Sequence, residues 1–152
     1  DPGTRRGPWT PEGVAGTLDT LRSHRLELLC LAGFMRILPA EIVRAFPNAI
    51  LNIHPSLLPA FPGTRPQRQA LRAGVKISGC TVHIVDEGVD TGPIVLQRAV
   101  PVKAGDSPDT LAARILEQEH IAYPAALRAM AEGRVSVEGR TTVVVDHREP
   151  VS

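Results

Sequence analysis

The chain has 152 residues, 43% of them hydrophobic and 22% charged, with a formal net charge of +1. That length corresponds to one domain with a self-sufficient core, the apolar fraction excludes a disordered charged tail, and near-zero charge gives no general pull toward nucleic acid or anionic membrane. No apolar run reaches the roughly 18 residues that a membrane span needs, and the polar start DPGTRRGPWT does not read as a secretory signal. In chain order, residues 1–11 read as a loose lead-in. From Pro11, the positions Val14, Leu18 and Leu21 recur at helical spacing, predicting a helix that ends near Ser23-His24. The apolar run LELLCLAG (26–33) suits a strand buried on both faces, as in a parallel sheet. Pro39 then opens a short helix over 39–46, and a second strand follows at 49–54. After it comes PSLLPAFPGTRP, an irregular stretch with four prolines and one glycine.

A third helix over 67–74 ends on Gly74, a C-cap residue. Two strand-like runs follow, at 77–86 and 92–102, joined by a loop containing EGVDT. Ser107-Pro108-Asp109-Thr110 is a helix start, with a hydroxyl N-cap, proline in the first turn and an acid near the positive dipole end. That helix is expected to run to about residue 133 with a kink at Pro124, and a terminal strand pair turns at Glu138-Gly139. The pattern predicts an α/β domain: a mostly parallel twisted sheet flanked by helices, Rossmann-like. In such sheets ligands sit beyond the carboxyl ends of the strands. Cys30 and Cys80, each inside an apolar run, read as buried thiols of a reducing compartment, the cytoplasm by default. Lys76 and Lys103 are the two lysines among 17 basic residues; the arginine excess fits an anionic ligand, but compositional bias is the favoured reading, since the arginines are scattered.

The chemistry-bearing residues cluster in two places. In Asn52-Ile53-His54, positions i and i+2 of an extended segment face one way, so an amide and an imidazole share a face at a strand end. The amide can bond a developing oxyanion and the imidazole can move a proton, as acyl or formyl transfer requires. Taken alone, the pair also fits a strand end with locally satisfied polar groups. The loop Asp86-Glu87-Gly88-Val89-Asp90-Thr91-Gly92 brings acids that could orient or charge the imidazole. Asp90 is the best placed of them, because Gly92 lets the neighbouring backbone approach a ligand. His83 sits between valine and isoleucine in an alternating strand and reads as structural on its own. Glu119 and His120 on the long helix are ambiguous. No serine-nucleophile elbow, zinc-protease, Walker or C-x-x-C sequence is present, and no ligand cluster supports a metal.

Three segments carry a family resemblance: LAGFMRIL (31–38), LNIHPSLLP (51–59) and GCTVHIVDEGVDTGPIVLQ (79–97). Together they resemble the phosphoribosylglycinamide formyltransferases, which move a formyl group from 10-formyltetrahydrofolate to the amine of glycinamide ribonucleotide in purine biosynthesis. The similarity extends over about residues 12–139. It implies one formyltransferase-like domain over 1–152, with 1–11 as lead-in and 140–152 as tail, and Asn52, His54 and Asp90 as the catalytic trio. The folate is implied to lie against Met35, Arg36, Ile37 and Leu38 and against Ile84, Val85, Asp86, Glu87, Gly88 and Val89, largely through backbone groups. Pro55, Ser56 and Glu119 fall on the ribonucleotide side, and His83 matches a histidine near the active centre.

The sequence departs from the family twice. Gln67 stands where the family commonly has a histidine, and residues 1–30 hold nothing like its first strand and glycine-serine phosphate loop. Together with Asp1 in place of a methionine, that second departure is the basis for expecting the chain to be the remainder of a longer enzyme. The implied partners are small molecules rather than nucleic acid or membrane, with the chain a monomer or homodimer and without metal. The alternatives are a folate-binding fragment without turnover, a formyltetrahydrofolate hydrolase and a methionyl-tRNA formyltransferase. Pro55, where the hydrolases more often have a second histidine, argues against the first enzyme. Near-neutral charge argues against the second.

Overall fold

A computed structural model of the chain describes residues 10–23, 28–31 and 38–146, without the side chains of 21–23. The strands β1 (Leu29–Leu31), β2 (Ile50–His54), β3 (Ile77–Ile84) and β4 (Ile94–Pro101) form one sheet in that order. Helices α1 (Pro11–Ser23), α2 (Ala40–Ala45), α3 (Pro66–Ala73) and α4 (Pro108–Ala131) flank it, and β5 (Val135–Glu138) with β6 (Thr141–Val144) makes a separate hairpin. The α/β class is as the sequence pattern implies. The expectation of a mostly parallel sheet is corrected among the described residues: β1 pairs β2 in parallel, but β2–β3 and β3–β4 pair antiparallel. The 85–93 connection between β3 and β4 is too short for a parallel crossover, which takes a dozen or more residues.

Successive residues of β2 divide the core between two faces. Leu51 joins Cys80, Val82, Ile84, Val95 and Val100 beneath α3 and α4, where Ala70, Leu111, Ile115, Ala122 and Ala126 close the layer. Ile50 points the other way, into Leu38, Ile42, Val43 and Phe46, with Val14 and Leu18 of α1 packed outside them. Each fully buried aliphatic side chain contributes about 1.5–3 kcal/mol. Helix α4 is the longest of the described elements. Ser107 Oγ accepts from the Thr110 amide while Thr110 Oγ1 accepts from the Ser107 amide, a reciprocal N-terminal cap. The helix continues through Pro124 to Ala131. Tyr123 on it sends its hydroxyl to the backbone oxygens of Leu31 and Leu51, tying α4 to β1 and β2.

Gly74 caps α3 in the left-handed conformation, its amide bonding the Ala70 and Leu71 carbonyls. One thiol is placed differently from expectation. Cys80 is fully buried, and desolvation pushes its pKa up to about 11, whereas Cys30 is exposed. It sits on β1, a three-residue strand at the edge of the described sheet, beside Leu51 on the α4 face but left uncovered there.

Candidate active site

The strand register brings the site together. In β2–β3, Asn52 stands opposite His83 and His54 opposite Thr81; in β3–β4, Thr81 stands opposite Gln97. Directly opposed residues share a face, so two rows cross the sheet: Asn52–His83, and His54–Thr81–Gln97. Ile53 and Val82 point away into the α4 core. The sequence expectation that Asn52 and His54 share a face with Ile53 behind them is therefore met.

His54 is buried, and each of its ring nitrogens has one neighbour. Nε2 lies 2.8 Å from the Phe61 carbonyl oxygen. A carbonyl only accepts, so Nε2 carries a proton. Nδ1 then faces Asp90 Oδ2 at 3.5 Å, with the Asp90 side chain 12% exposed. The other carboxylate oxygen, Oδ1, is 3.7 Å from His83 Nε2. His83 donates from Nδ1 to the Ile84 carbonyl at 3.3 Å, leaving Nε2 to accept from Asn52 Nδ2 at 3.4 Å. Burial lowers the His83 pKa, against the opposing pull of the Ile84 carbonyl and Asp90, which favours the neutral ring that this arrangement uses. Asn52 Oδ1 is buried without a partner. An unsatisfied buried acceptor costs about 1–3 kcal/mol, a cost that a donor from a bound molecule would remove.

The 86–92 loop is preorganised by its own residues. Asp86 Oδ1 accepts from the Gly88 amide at 2.9 Å and from the Thr91 hydroxyl at 2.7 Å, closing a turn. Glu87 reaches across to Arg44 of α2 at 2.9 Å. Gly92 has a different purpose from the one expected of it: a Cβ there would lie 1.6 Å from the Ile84 carbonyl oxygen, so the glycine serves a close backbone crossing, not a ligand. Asp90 itself adopts φ 53°, in the left-handed region where aspartate is among the tolerated residues.

Other expected contacts distribute unevenly. Met35, Arg36 and Ile37 lie outside the described residues, whereas Leu38 is buried against α2. The Ile84 side chain is in the core, and the Ile84 and Val85 amides are engaged by Pro93 and Ile50 carbonyls. Val89 is 45% exposed on the loop. Ser56 is fully buried and donates to the Ala60 carbonyl at 2.6 Å, so its hydroxyl holds the proline-rich loop, while Pro55 is half-buried beside it. Glu119 is partly buried, its pKa raised by desolvation, with His120 and then His54 opposing the rise. His120 is exposed and Gln67 half-buried. Sequence reading missed the Phe61 carbonyl, the Gly63 amide that donates to Asp90 Oδ2 at 2.8 Å, Thr81 and Gln97. The first two are backbone atoms, invisible to side-chain motifs; the row from His54 to Gln97 needed the register.

Among the described residues no His/Cys/Asp/Glu group could hold a metal ion, and no helix is long and apolar enough to cross a membrane. The formyl transferase family profile matches residues 12–127. The trifunctional purine biosynthetic protein adenosine-3 of Drosophila pseudoobscura pseudoobscura is 57% identical over 113 residues, covering 74% of this chain and 8% of that protein. The phosphoribosylglycinamide formyltransferase of Bacillus subtilis (strain 168) is 48% identical over 113 residues, covering 74% of this chain and 58% of that enzyme. The chain thus spans only part of the length of these curated relatives. Among solved structures, glycinamide ribonucleotide transformylase 1 from Symbiobacterium toebii superposes with a TM-score of 0.88 at 51% identity, over 96% of this chain and 68% of that one.

Proposed function

The chain belongs to the formyl transferase family, and on that premise we propose that it transfers the formyl group of 10-formyltetrahydrofolate to the amine of glycinamide ribonucleotide, a step of purine biosynthesis. One observation carries this reading: Asp90 stands within ion-pair range of both His54 and His83, and His83 in turn bonds the Asn52 amide, whose own oxygen is buried and unpartnered. In the reaction the amine nitrogen forms a bond to the formyl carbon, and the carbonyl becomes an oxyanion. The Asn52 amide, steadied by His83, donates to that oxygen. The amine then loses a proton, the bond from carbon to the folate nitrogen breaks, and that nitrogen takes a proton. His54 and Asp90 relay the proton between the two nitrogens, with Nδ1 as the ring atom facing the carboxylate.

The same residues support a placement of the two substrates. Val89, 45% exposed on the loop, supplies apolar surface on the side of the folate ring, and the backbone of residues 86 and 87 supplies polar groups for its edge. Glu119 stands on the ribonucleotide side, where its carboxylate can bond the ligand's amide or hydroxyl groups, with Pro55 shaping the wall. The two packed layers share one sheet, which supports a single domain. The two cysteines without disulfide partners support a reducing compartment, the cytoplasm in our reading.

The test supplies 10-formyltetrahydrofolate with and without glycinamide ribonucleotide and follows formylated product and free tetrahydrofolate. Formylated ribonucleotide formed in step with tetrahydrofolate is the expected result. Tetrahydrofolate released at the same rate without the ribonucleotide would show a hydrolase. Folate binding without either product would show a binding module.

A further inference from the structure

The proline-rich segment that follows β2 is bolted to the sheet at one residue. Thr81 is fully buried, and its hydroxyl donates to the Ser56 carbonyl at 2.7 Å while accepting from the Leu58 amide and from Gln97 Nε2, each at 3.0 Å. The same Gln97 amide donates to the Leu58 carbonyl at 2.9 Å. A single donor and both acceptor positions of the hydroxyl are thus in use. Beyond this anchor the chain turns back, and Phe61 takes φ 55°. That conformation costs a bulky residue strain and persists only where the surroundings enforce it. Its effect is to set the Phe61 carbonyl on His54 Nε2, while two residues later the Gly63 amide meets Asp90.

We propose that Thr81 and Gln97 are positioning residues that hold the Phe61 carbonyl on His54, fix the imidazole in its Nε2–H form, and so reserve Nδ1 for proton transfer. Neither residue touches the reacting groups. They act through four residues of backbone, and the loop they hold orients imidazole and carboxylate together. Without the carbonyl, the neutral ring would exchange between tautomers, and a donor at Nδ1 cannot take up a proton. The catalytic consequence rests on the proposed formyl transfer; the tautomer does not.

Long-range proton–nitrogen NMR of the full chain, with His54 signals assigned by their loss in His54→Asn, reads the ring directly. The expected spectrum shows a protonated Nε2 and an unprotonated Nδ1. Thr81→Val should convert it to a mixture and lower kcat about 10- to 100-fold, as loss of positioning does, with KM for the folate donor changed less than about threefold. Thr81→Ser, which keeps the hydroxyl, should restore both. Should Thr81→Val fail to fold, Gln97→Met removes one donor from the exposed side and should show the same change in smaller amplitude. A wild-type ring protonated at Nδ1, or a Gln97→Met variant and any folded Thr81→Val variant with unchanged tautomer and kcat, overturns the proposal. A chain with the expected tautomer but no formyl transfer would refute the function and leave the positioning intact.

Discussion

Replacing Asp90 by Asn separates the charge of this residue from its shape. The amide oxygen can still accept from Gly63, whose nitrogen lies 2.8 Å from Oδ2. Asparagine also tolerates the φ of 53° that Asp90 adopts. What disappears is a negative charge 3.5 Å from His54 Nδ1. At an effective dielectric of about 20, a unit charge pair at that distance is worth about 5 kcal/mol. Since about 1.4 kcal/mol is a factor of ten in rate, the ceiling on the loss is about 3.5 decades. Only part of a proton's charge develops in the transition state, and the carboxylate is not fully enclosed, so the expected fall in kcat is about 100- to 1,000-fold. Steady-state kinetics with the folate donor varied should show KM changed less than about threefold. The melting temperature should move by no more than about 3 °C, which corresponds to roughly 1 kcal/mol in a chain this long. A parallel loss of kcat and folate affinity, or a melting temperature lowered by about 10 °C, would refute the reasoning and make Asp90 a loop-shaping residue.

Three further outcomes follow from other parts of the molecule. Gly92→Ala places a Cβ 1.6 Å from the Ile84 carbonyl oxygen, so the hairpin connection must shift; calorimetry should show a loss of about 3 kcal/mol, roughly 10 °C. Tyr123→Phe leaves the Leu31 and Leu51 carbonyls without the hydroxyl, and urea titration should show about 1–3 kcal/mol less stability with m unchanged. Burial holds the His83 pKa below its ordinary value despite Asp90 and Asp86 nearby. The folded state therefore prefers the neutral ring, and its contribution is complete above about pH 6.5 and drains away as pH falls below that value. His83→Gln should lose less stability than the parent between about pH 6.5 and 5; equal losses would show that the ring titrates freely in the folded chain.

The elements were legible wherever one local rule governed them. The Ser107 cap, the Gly74 stop and the NIH strand each rest on neighbours a few residues apart, and each stands where the pattern put it. Pairing direction was not legible, because runs such as GCTVHIV are buried on both faces in parallel and antiparallel sheets alike. Cys30 misled for a similar reason: an apolar run marks a strand, but only its neighbours decide which side chains are covered. At the candidate site, Asn52, His54 and Asp90 were readable as polar side chains, and the fold groups them with His83. The groups that orient them were not, since Phe61 and Gly63 act through backbone atoms that any residue carries. Gly92 was flagged correctly for the wrong cause. A sequence shows that a glycine crowds something, but only the fold shows what.

Strand β2 is bonded on both sides, by β1 along Ile50–Asn52 and by β3 along Leu51–His54. Its amides are thus among the last that fraying from an edge or a helix end can release to solvent. The slowest-exchanging protons of the molecule should therefore include those of Asn52, Ile53 and the flanking Leu51. Asn52 and His54 thus stand on the part that opens last, whereas Asp90 stands on the 86–92 loop. Gradual heating should leave Asn52 and His54 in place until the whole sheet gives way, so that any earlier loss of activity traces to the 86–92 loop.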